Sequence, residues 1–592
     1  MCGIFGYFGP LNNAAELALE GLKNLEYRGY DSWGVAAKLE SGEIRMEKHV
    51  GKISDVKEFG KELKGQITHL AIGHTRWATH GGVTQKNAHP HLSKNGEFVL
   101  VHNGIIENFR ELRKELQGKG YEFLSETDTE TAVHLIEHYS DEGFETAVQK
   151  AVNRLEGRYA ILVLHDNTLI AARKGSPLII GIGNLKNEFF IGSDVPAFLK
   201  YTNRVMYLDD DQMVMMNKDG IRFKTVSQGT PIEKREIKLN LTQQSAEKGA
   251  YAHFMIKEIM EQKETLSRAI NQDPILIEKL AQAIREAKGT FLIGCGTAGK
   301  VALTGSYLFS SVAKKHINFA FGSEFTSFQE FLTDKTLLIA ISQSGETADT
   351  LEAIEIAKEK GVKIACIVNV ESSTMARFSD IVIPLKVGPE KAVASTKATT
   401  AQMAILTLLA YATANRLEEG KQLLIRTAGE INDMLNPRYE EHIAKIAESM
   451  KNVESMYIIG KGLNYPMALE AAIKLQEVSY IHAEGFAGGE LKHGPIALIS
   501  QGTPCLTIVA NDATRADILG NAMEVKARGG RIIGVSPENS EIFDDWIRVP
   551  DVGDTSPIVN IIPIQILAYH LAIKRQNNPD MPRNLAKSVT VK

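Results

Sequence analysis

Phe291-Leu292-Ile293-Gly294 is a short apolar strand running into a glycine turn, and the chain repeats it at Tyr457-Ile458-Ile459-Gly460. Two more strands follow each copy at matching intervals. Leu337-Leu338-Ile339-Ala340-Ile341 is echoed by Cys505-Leu506-Thr507-Ile508-Val509, and Gly361-Val362-Lys363-Ile364 by Gly529-Gly530-Arg531-Ile532. A unit of strand, glycine turn, helix, strand, turn, helix, strand buries its apolar strands only between helices. Two such units in series predict a doubly wound parallel sheet, made twice.

The turns of the first copy carry chemistry. Gly294-Cys295-Gly296-Thr297-Ala298-Gly299-Lys300 fits the G-x-G-x-x-G of dinucleotide binding, with Ser323-Glu324 after another strand, so NAD stays open on this loop alone. It also fits G-x-x-x-x-G-K, but Val301 stands where a P-loop needs a hydroxyl for magnesium, which argues against ATP. Ser342-Gln343-Ser344-Gly345-Glu346-Thr347 follows a strand and opens a helix. Hydroxyls and backbone N–H groups at a helix N-terminus suit a phosphate, or they are an ordinary N-cap with spare serines. The second copy reads Asn511-Asp512-Ala513-Thr514 there and looks degenerate for phosphate.

With 592 residues the chain exceeds one core, so three or more domains are expected. Apolar content of 44% and charged content of 23% are globular. A net charge of −5 argues against a nucleic-acid surface. Cys2, Cys295, Cys366 and Cys505 form no CxxC pair, which fits a reducing compartment. No signal peptide is read at the N-terminus. The apolar run Ile558 to Ile573 contains Asn560, Pro563, Gln565 and His570 and reads as a buried helix, not a membrane span. A soluble, cytoplasmic protein is expected.

Residues before about 240 alternate short strands, such as Phe98–Val101 and Tyr159–Leu164, with few helices, of which Glu130 to Tyr139 is one. That pattern predicts stacked sheets with helices outside. Lys238 to Gly249 reads as a linker, followed by a helix over Ala252 to Gln262. Loss of Met1 would leave Cys2 with a free α-amino group, which titrates near pH 8 and can serve the thiol as its base; the alternative is a buried structural cysteine. Four clusters accompany Cys2: Tyr27 to Ser32, His74 to Gly81, His102 to Asn108, and Ser125 to Glu130. His74, His80, His89, His91 and His102 match no metal-ligand spacing. Asp128 alone could be an N-cap, and Asn103-Gly104 a turn.

Together, Met1-Cys2-Gly3-Ile4, Arg76-Trp77-Ala78-Thr79-His80-Gly81 and His102-Asn103-Gly104-Ile105-Ile106-Glu107-Asn108 resemble the class II glutamine amidotransferases, which are N-terminal-nucleophile hydrolases. The resemblance implies that Cys2 attacks the glutamine amide and forms a thioester, and that Asn103 and Gly104 form the oxyanion hole. It implies that Arg76 holds the α-carboxylate, Asp128 the α-ammonium, and Thr79 and His80 belong to a closing loop. Trp77 would gate ammonia. Trp33 stands where the family often has a small residue.

The duplicated unit with its serine loop resembles the SIS domain, which binds phosphosugars. Three further runs extend the likeness: Glu470, Lys474 and Glu477 on one helix face, Gly489 to Pro495, and Asn584 to Val591. With Val393-Ala394-Ser395-Thr396-Lys397 they make the chain similar end to end to the isomerising glutamine–fructose-6-phosphate aminotransferases, the glucosamine-6-phosphate synthases. The implied fold is α/β and multi-domain: an N-terminal-nucleophile αββα sandwich over 1–240, a linker over 241–249, doubly wound α/β/α SIS domains over 250–430 and 431–576, and an active-site tail over 577–592. Ser342, Gln343, Ser344 and Thr347 would bind the sugar phosphate, and Thr297, Val393 and Ser395 would line the sugar. His493 would open the ring, Lys587 form a Schiff base, Glu477 move the C1–C2 proton and Lys474 assist at oxygen. Ala298 stands where relatives often have a phosphate-contacting serine. The expected activity hydrolyses L-glutamine, channels its ammonia to fructose 6-phosphate and isomerises the product to glucosamine 6-phosphate. A homodimer is expected, with no metal or organic cofactor and no nucleic-acid or membrane partner.

Overall fold

The computed structural model describes residues 2–56, 59–60, 62–239 and 248–590. The chain divides into two compact units, Met1–Glu247 with Ala586–Lys592, and Lys248–Leu585. Of the predicted linker, 241–247 lie outside the described residues; Lys238, read as its beginning, ends the short strand Ile237–Lys238.

The first unit stacks two antiparallel sheets. The eight-stranded sheet runs Ile237–Lys238, Arg204–Tyr207, Ile179–Ile182, Phe189–Gly192, Gly3–Phe8, Thr68–Arg76, Ser32–Leu39, Ile44–Val50. The seven-stranded sheet runs Pro231–Ile232, Gly220–Thr225, Gln212–Asn217, Thr168–Lys174, Gly157–His165, Phe98–Ile106, His91–Leu92. Alternation along each strand sorts the side chains. Ile4, Leu70 and Ile72 meet Val99, Val101 and Leu162 between the sheets. Phe5, Tyr7 and Ala71 turn outward under the helix Ala14–Asn24. Phe98, Leu100 and Ile161 turn outward under the helices Phe109–Gly118, Asp128–His138 and Phe144–Arg154. This is the αββα layering expected from many strands and few helices.

The same parity aims the polar residues. Ile4 pairs with His74 and Gly3 with Thr75, so continuing that register brings Cys2 alongside Arg76. His74 and Arg76 share the inward face of Ile72, and Asn103 shares that of Val99 and Val101. Asn103 and Gly104 lie within the strand Phe98–Ile106, paired to Ala160 and Tyr159, and not in a turn. Gly104 is required there: its φ is +111° and a Cβ would meet Arg158 O at 2.0 Å.

The second unit holds two five-stranded sheets, both wholly parallel and in the same order. The first runs Asn318–Phe321, Gly289–Gly294, Thr336–Ser342, Lys363–Val368, Ile381–Pro384. The second runs His482–Ala487, Ser455–Gly460, Pro504–Ile508, Arg531–Ser536, Asp545–Arg548. In each, the chain leaves the first strand to one side and returns on the other, which opens a ligand crevice at the C-terminal strand ends. Helices of both repeats share one core, which joins Ile339 and Leu406 to Leu475 and Ile561. The late apolar run is the helix Ser556–Lys574; 89% of its most apolar window is buried, so it is a core helix as its sequence suggested. The helix expected over Ala252 to Gln262 breaks at Glu261 into Phe254–Met260 and Gln262–Ile270. The helix Leu417–Met434 runs across residue 430.

Candidate active sites

One pocket in the first unit gathers every glutamine-side candidate except Asn103: Cys2, Arg76, Trp77, Thr79, His80, Gly104 and Asp128. Cys2 Sγ accepts from the Trp77 N–H at 3.3 Å. Burial pushes the Cys2 thiol up, while the Trp77 N–H and the Arg76 charge pull it down. The Cys2 carbonyl accepts from Asn103 Nδ2 at 3.0 Å and from Arg28 Nε at 3.3 Å. Arg28 in turn pairs with Asp194 at 3.2 Å, and Tyr27 donates to the same carboxylate at 2.5 Å. Arg28 and Asp194 are 166 positions apart, and nothing in the local sequence announces the pair.

Arg76 is buried and its guanidinium donates to the carbonyls of His80, Gly81 and Gly82, so the loop after it wraps its own arginine. A ligand carboxylate offers two strong acceptors in place of those carbonyls. Ala78 N donates to Asp31 at 2.8 Å and anchors the start of that loop. Asp128 is not an N-cap: Thr127 caps the helix by accepting from Glu130 N, and Asp128 accepts from Ile106 N at 2.9 Å. Trp33 is buried and stacks on His49, ring centroids 4.7 Å apart.

In the second unit the loop Ser342–Thr347 sits at the C-terminal end of the central strand and opens the helix Ala348–Glu359, with Thr347 at the cap position. Ser342 Oγ accepts from Gly345 N at 2.9 Å and Ser344 Oγ from Glu346 N at 3.2 Å, which shapes the loop. Gly345 has φ +67° and a Cβ there would meet Ser373 Oγ at 2.1 Å. The equivalent loop in the second repeat is closed by a carboxylate: Thr514 N and Oγ1 both donate to Asp512, at 2.8 and 2.6 Å, an arrangement that repels phosphate.

The charged face of the helix Tyr465–Ser479 is not a solvated stripe. Glu470 and Lys474 are both 0% exposed. Lys474 Nζ lies 2.6 Å from Glu477 and 3.5 Å from Glu470, and Thr297 donates to Glu470 at 3.0 Å across the two repeats. Burial opposes the charge on Lys474, but Glu477 and Glu470 outweigh it and hold the ammonium above the ordinary lysine range. Burial pushes Glu470 up to about 7, against the pull of Lys474. Ser395 donates to Glu390 at 3.2 Å, and the same carboxylate accepts from Thr396 N and Ala398 N; Val393 N donates to Asp580 O at 3.0 Å. Asp580 also accepts from Phe254 N and Met255 N, so the stretch before Ala586 is pinned, not frayed. Lys300, one turn after Thr297, has its ammonium over the Phe321 ring at 4.4 Å and within electrostatic reach of Glu470 and Glu477. The sequence reading passed over Glu390 and, though its motifs include Lys300, Arg28 and Glu470, gave those three no role. His493 is exposed on the 3-10 turn Gly488–His493, and no hydrogen bond or ion pair joins it to Lys474 or Glu477 among the described residues. Lys587 belongs to the segment grouped with the first unit.

Glu470 makes a pH prediction with a fixed sign. Its folded value is raised, so the folded chain holds the proton to higher pH than the unfolded chain does. That contribution to stability is complete below about pH 4.5 and lost as pH rises through 7. Glu470→Gln lacks it. The stability of the wild type relative to Glu470→Gln should therefore fall by about 3 kcal/mol between pH 4.5 and 8. Paired thermal melts across that range check it; a constant gap refutes it.

Comparison with known proteins agrees with these two units. The family described as "Glutamine amidotransferase domain" matches residues 74–200, and "SIS domain" matches 283–412 and again 449–575. A protein of Thermococcus kodakarensis named glutamine–fructose-6-phosphate aminotransferase (isomerizing) is 43% identical over 100% of both chains. One of the same name from Pyrococcus horikoshii is 44% identical, again over 100% of both. Among solved structures, the C-terminal domain of glucosamine-fructose-6-phosphate aminotransferase from Francisella tularensis covers 56% of this chain and 99% of its own, with 33% identity and a TM-score of 0.53. By its full-length identity to these relatives and its order of domains, this chain belongs to the glutamine–fructose-6-phosphate aminotransferase (isomerizing) family.

Proposed function

We propose that this chain makes glucosamine 6-phosphate from L-glutamine and fructose 6-phosphate. The observation that carries the reading is the presence of two separate reactive sets in one chain: the Cys2 thiol with its flanking Asn103 amide, and the buried Lys474 between Glu470 and Glu477. Cys2 Sγ attacks the glutamine side-chain carbonyl carbon. An oxyanion forms and accepts from Asn103 Nδ2 and the Gly104 N–H; the C–N bond breaks as the Cys2 α-amino group, freed by loss of Met1, passes the thiol's proton to the departing ammonia, and water then hydrolyses the thioester to glutamate. Arg76 grips the α-carboxylate and Asp128 the α-ammonium, Thr79 and His80 belong to the loop that closes over the glutamine, and Trp77 gates the exit of ammonia.

At the sugar site, Ser342, Gln343, Ser344 and Thr347 hold the phosphate, and Thr297, Val393 and Ser395 the chain of hydroxyls. His493 opens the ring. Lys587 condenses with the C2 ketone and releases water, and ammonia displaces the lysine. Glu477 then carries the proton from C1 to C2, and Lys474, charged and desolvated, supports the developing oxygen charge. His493 is exposed in the single chain, which favours a homodimer in which it serves the sugar of a second copy. Four free cysteines favour a reducing, cytoplasmic setting.

Product analysis tests the reading. Glutamine plus fructose 6-phosphate should give glutamate and glucosamine 6-phosphate in equal amounts. Glutamate without any amino sugar would reduce the chain to a glutaminase with another acceptor. Sugar binding without turnover of either substrate would make it a phosphosugar sensor.

A further inference from the structure

The glutaminase steps above use none of four imidazoles buried near Cys2: His74, His89, His91 and His102. His74 is the one whose bonds reach the reacting groups. It leaves the strand Thr68–Arg76 on the inter-sheet face, and Asn103 leaves the strand Phe98–Ile106 on the facing side. His74 Nε2 lies 2.8 Å from His102 O and 3.1 Å from Asn103 Oδ1. Both partners are acceptors only, so Nε2 carries the proton and donates to both. Asn103 Oδ1 is then the end that faces His74, and its NH2 is the end that faces Cys2.

That NH2 has two protons. One goes to Cys2 O at 3.0 Å. The other remains for a ligand oxygen. The terminal torsion of an asparagine is broad and roughly two-fold, so the amide needs a partner to choose its orientation. Flipped, it would turn its carbonyl oxygen toward an oxyanion and replace an attraction by a repulsion. The choice of imidazole fits the task. His89 stacks on His74 with centroids 4.1 Å apart and fixes its plane. Burial holds His74 down at about 3, so it donates a proton without bringing a charge beside Cys2.

We propose that His74 is a positioning residue of the glutaminase site: by donating to Asn103 Oδ1 across the two sheets, it fixes the orientation in which the Asn103 N–H faces the oxyanion formed at Cys2. This rests on the reading of Asn103 as an oxyanion donor, and the test separates the two. Glutamine hydrolysis is followed in the full chain for Asn103→Ala, His74→Phe, the double variant and His74→Gln, with isomerisation of fructose 6-phosphate as the control for a folded second unit. Asn103→Ala should lower kcat by about a hundredfold or more. His74→Phe should lower kcat by about tenfold to a hundredfold and leave KM nearly unchanged, because the group lost acts only on the oxyanion. The double variant should be no slower than Asn103→Ala alone. His74→Gln should recover most of the loss, since its amide nitrogen donates from the same reach. Where phenylalanine is not accommodated, His74→Ala enters the same cycle. An Asn103→Ala protein with native kcat would overturn the oxyanion reading and this proposal with it. Losses that multiply in the double variant would overturn the positioning role while leaving Asn103 as the donor. Equal failure of His74→Gln and His74→Phe would also overturn it, because packing alone would then explain both.

Discussion

Cys2→Ala should abolish glutamine hydrolysis, and with it glutamine-dependent synthesis, while fructose 6-phosphate is still isomerised to glucose 6-phosphate at the native rate. Among the described residues at the pocket, the Cys2 thiol is the strongest nucleophile toward an amide carbonyl carbon once deprotonated. Losing a nucleophile that forms an intermediate should cost at least about a thousandfold in kcat. The competing account makes Cys2 a packing residue. The geometry speaks against it: Sγ accepts from the Trp77 N–H, and the Cys2 carbonyl is held by Asn103 and Arg28, which is more hydrogen bonding than a space-filling cysteine requires. Alanine leaves those carbonyl bonds intact, so the change removes the sulfur and little else. The acid–base set Glu470, Lys474 and Glu477 belongs to the other compact unit and keeps its own bonds. Both activities should be measured at saturating sugar. A Cys2→Ala protein that releases glutamate at the native rate would sink the nucleophile assignment. Loss of isomerisation in a folded variant would show that the two activities are coupled more tightly than two self-contained residue sets require.

The repeat was legible because a parallel strand is buried on both faces and so reads as an unbroken apolar run ending in glycine. Gly289–Gly294 and Ser455–Gly460 are such strands. The edge strand His482–Ala487 was not legible: it carries His482, Glu484 and Gly485, since an edge needs one apolar face at most. Spacing alone could not tell a solvated charge stripe from a buried triad at Glu470, Lys474 and Glu477. Burial across the repeats decides it: Met467, Ala468, Ala471, Leu475 and Val478 lie on one arc beside the charges, and Thr297 of the first repeat donates to Glu470. Residues that act through another residue stayed hidden. Arg28 with Asp194 and His74 with Asn103 meet only when two sheets stack, and each pair is separated by many positions with no shared period.

The Schiff base is the step for which the chain offers rival lysines, and the buried charges sort them. An amine must be neutral to attack a ketone. Lys474 cannot serve, since Glu477 and Glu470 hold it protonated. Lys300 is the opposite case: burial pulls its ammonium below the ordinary range despite the pull of Glu470, and no hydrogen bond or ion pair holds it among the described residues. Lys587, in the terminal stretch, is the assignment proposed above. Borohydride reduction in the presence of fructose 6-phosphate should therefore fix the sugar on Lys587, located by peptide mass spectrometry, under conditions first validated on a known ketose Schiff-base enzyme. Lys587→Arg puts a guanidinium there, which holds its proton far more firmly than an amine and cannot condense with the ketone; synthesis should fall by at least about a thousandfold, with glutamine hydrolysis retained. Sugar recovered on Lys300 would move the covalent step to the helix Gly296–Ala313 and leave Lys587 a binding residue. Unmodified lysines at saturating substrate, with synthesis running, would mean that ammonia meets the open-chain ketone directly and that no lysine intermediate forms.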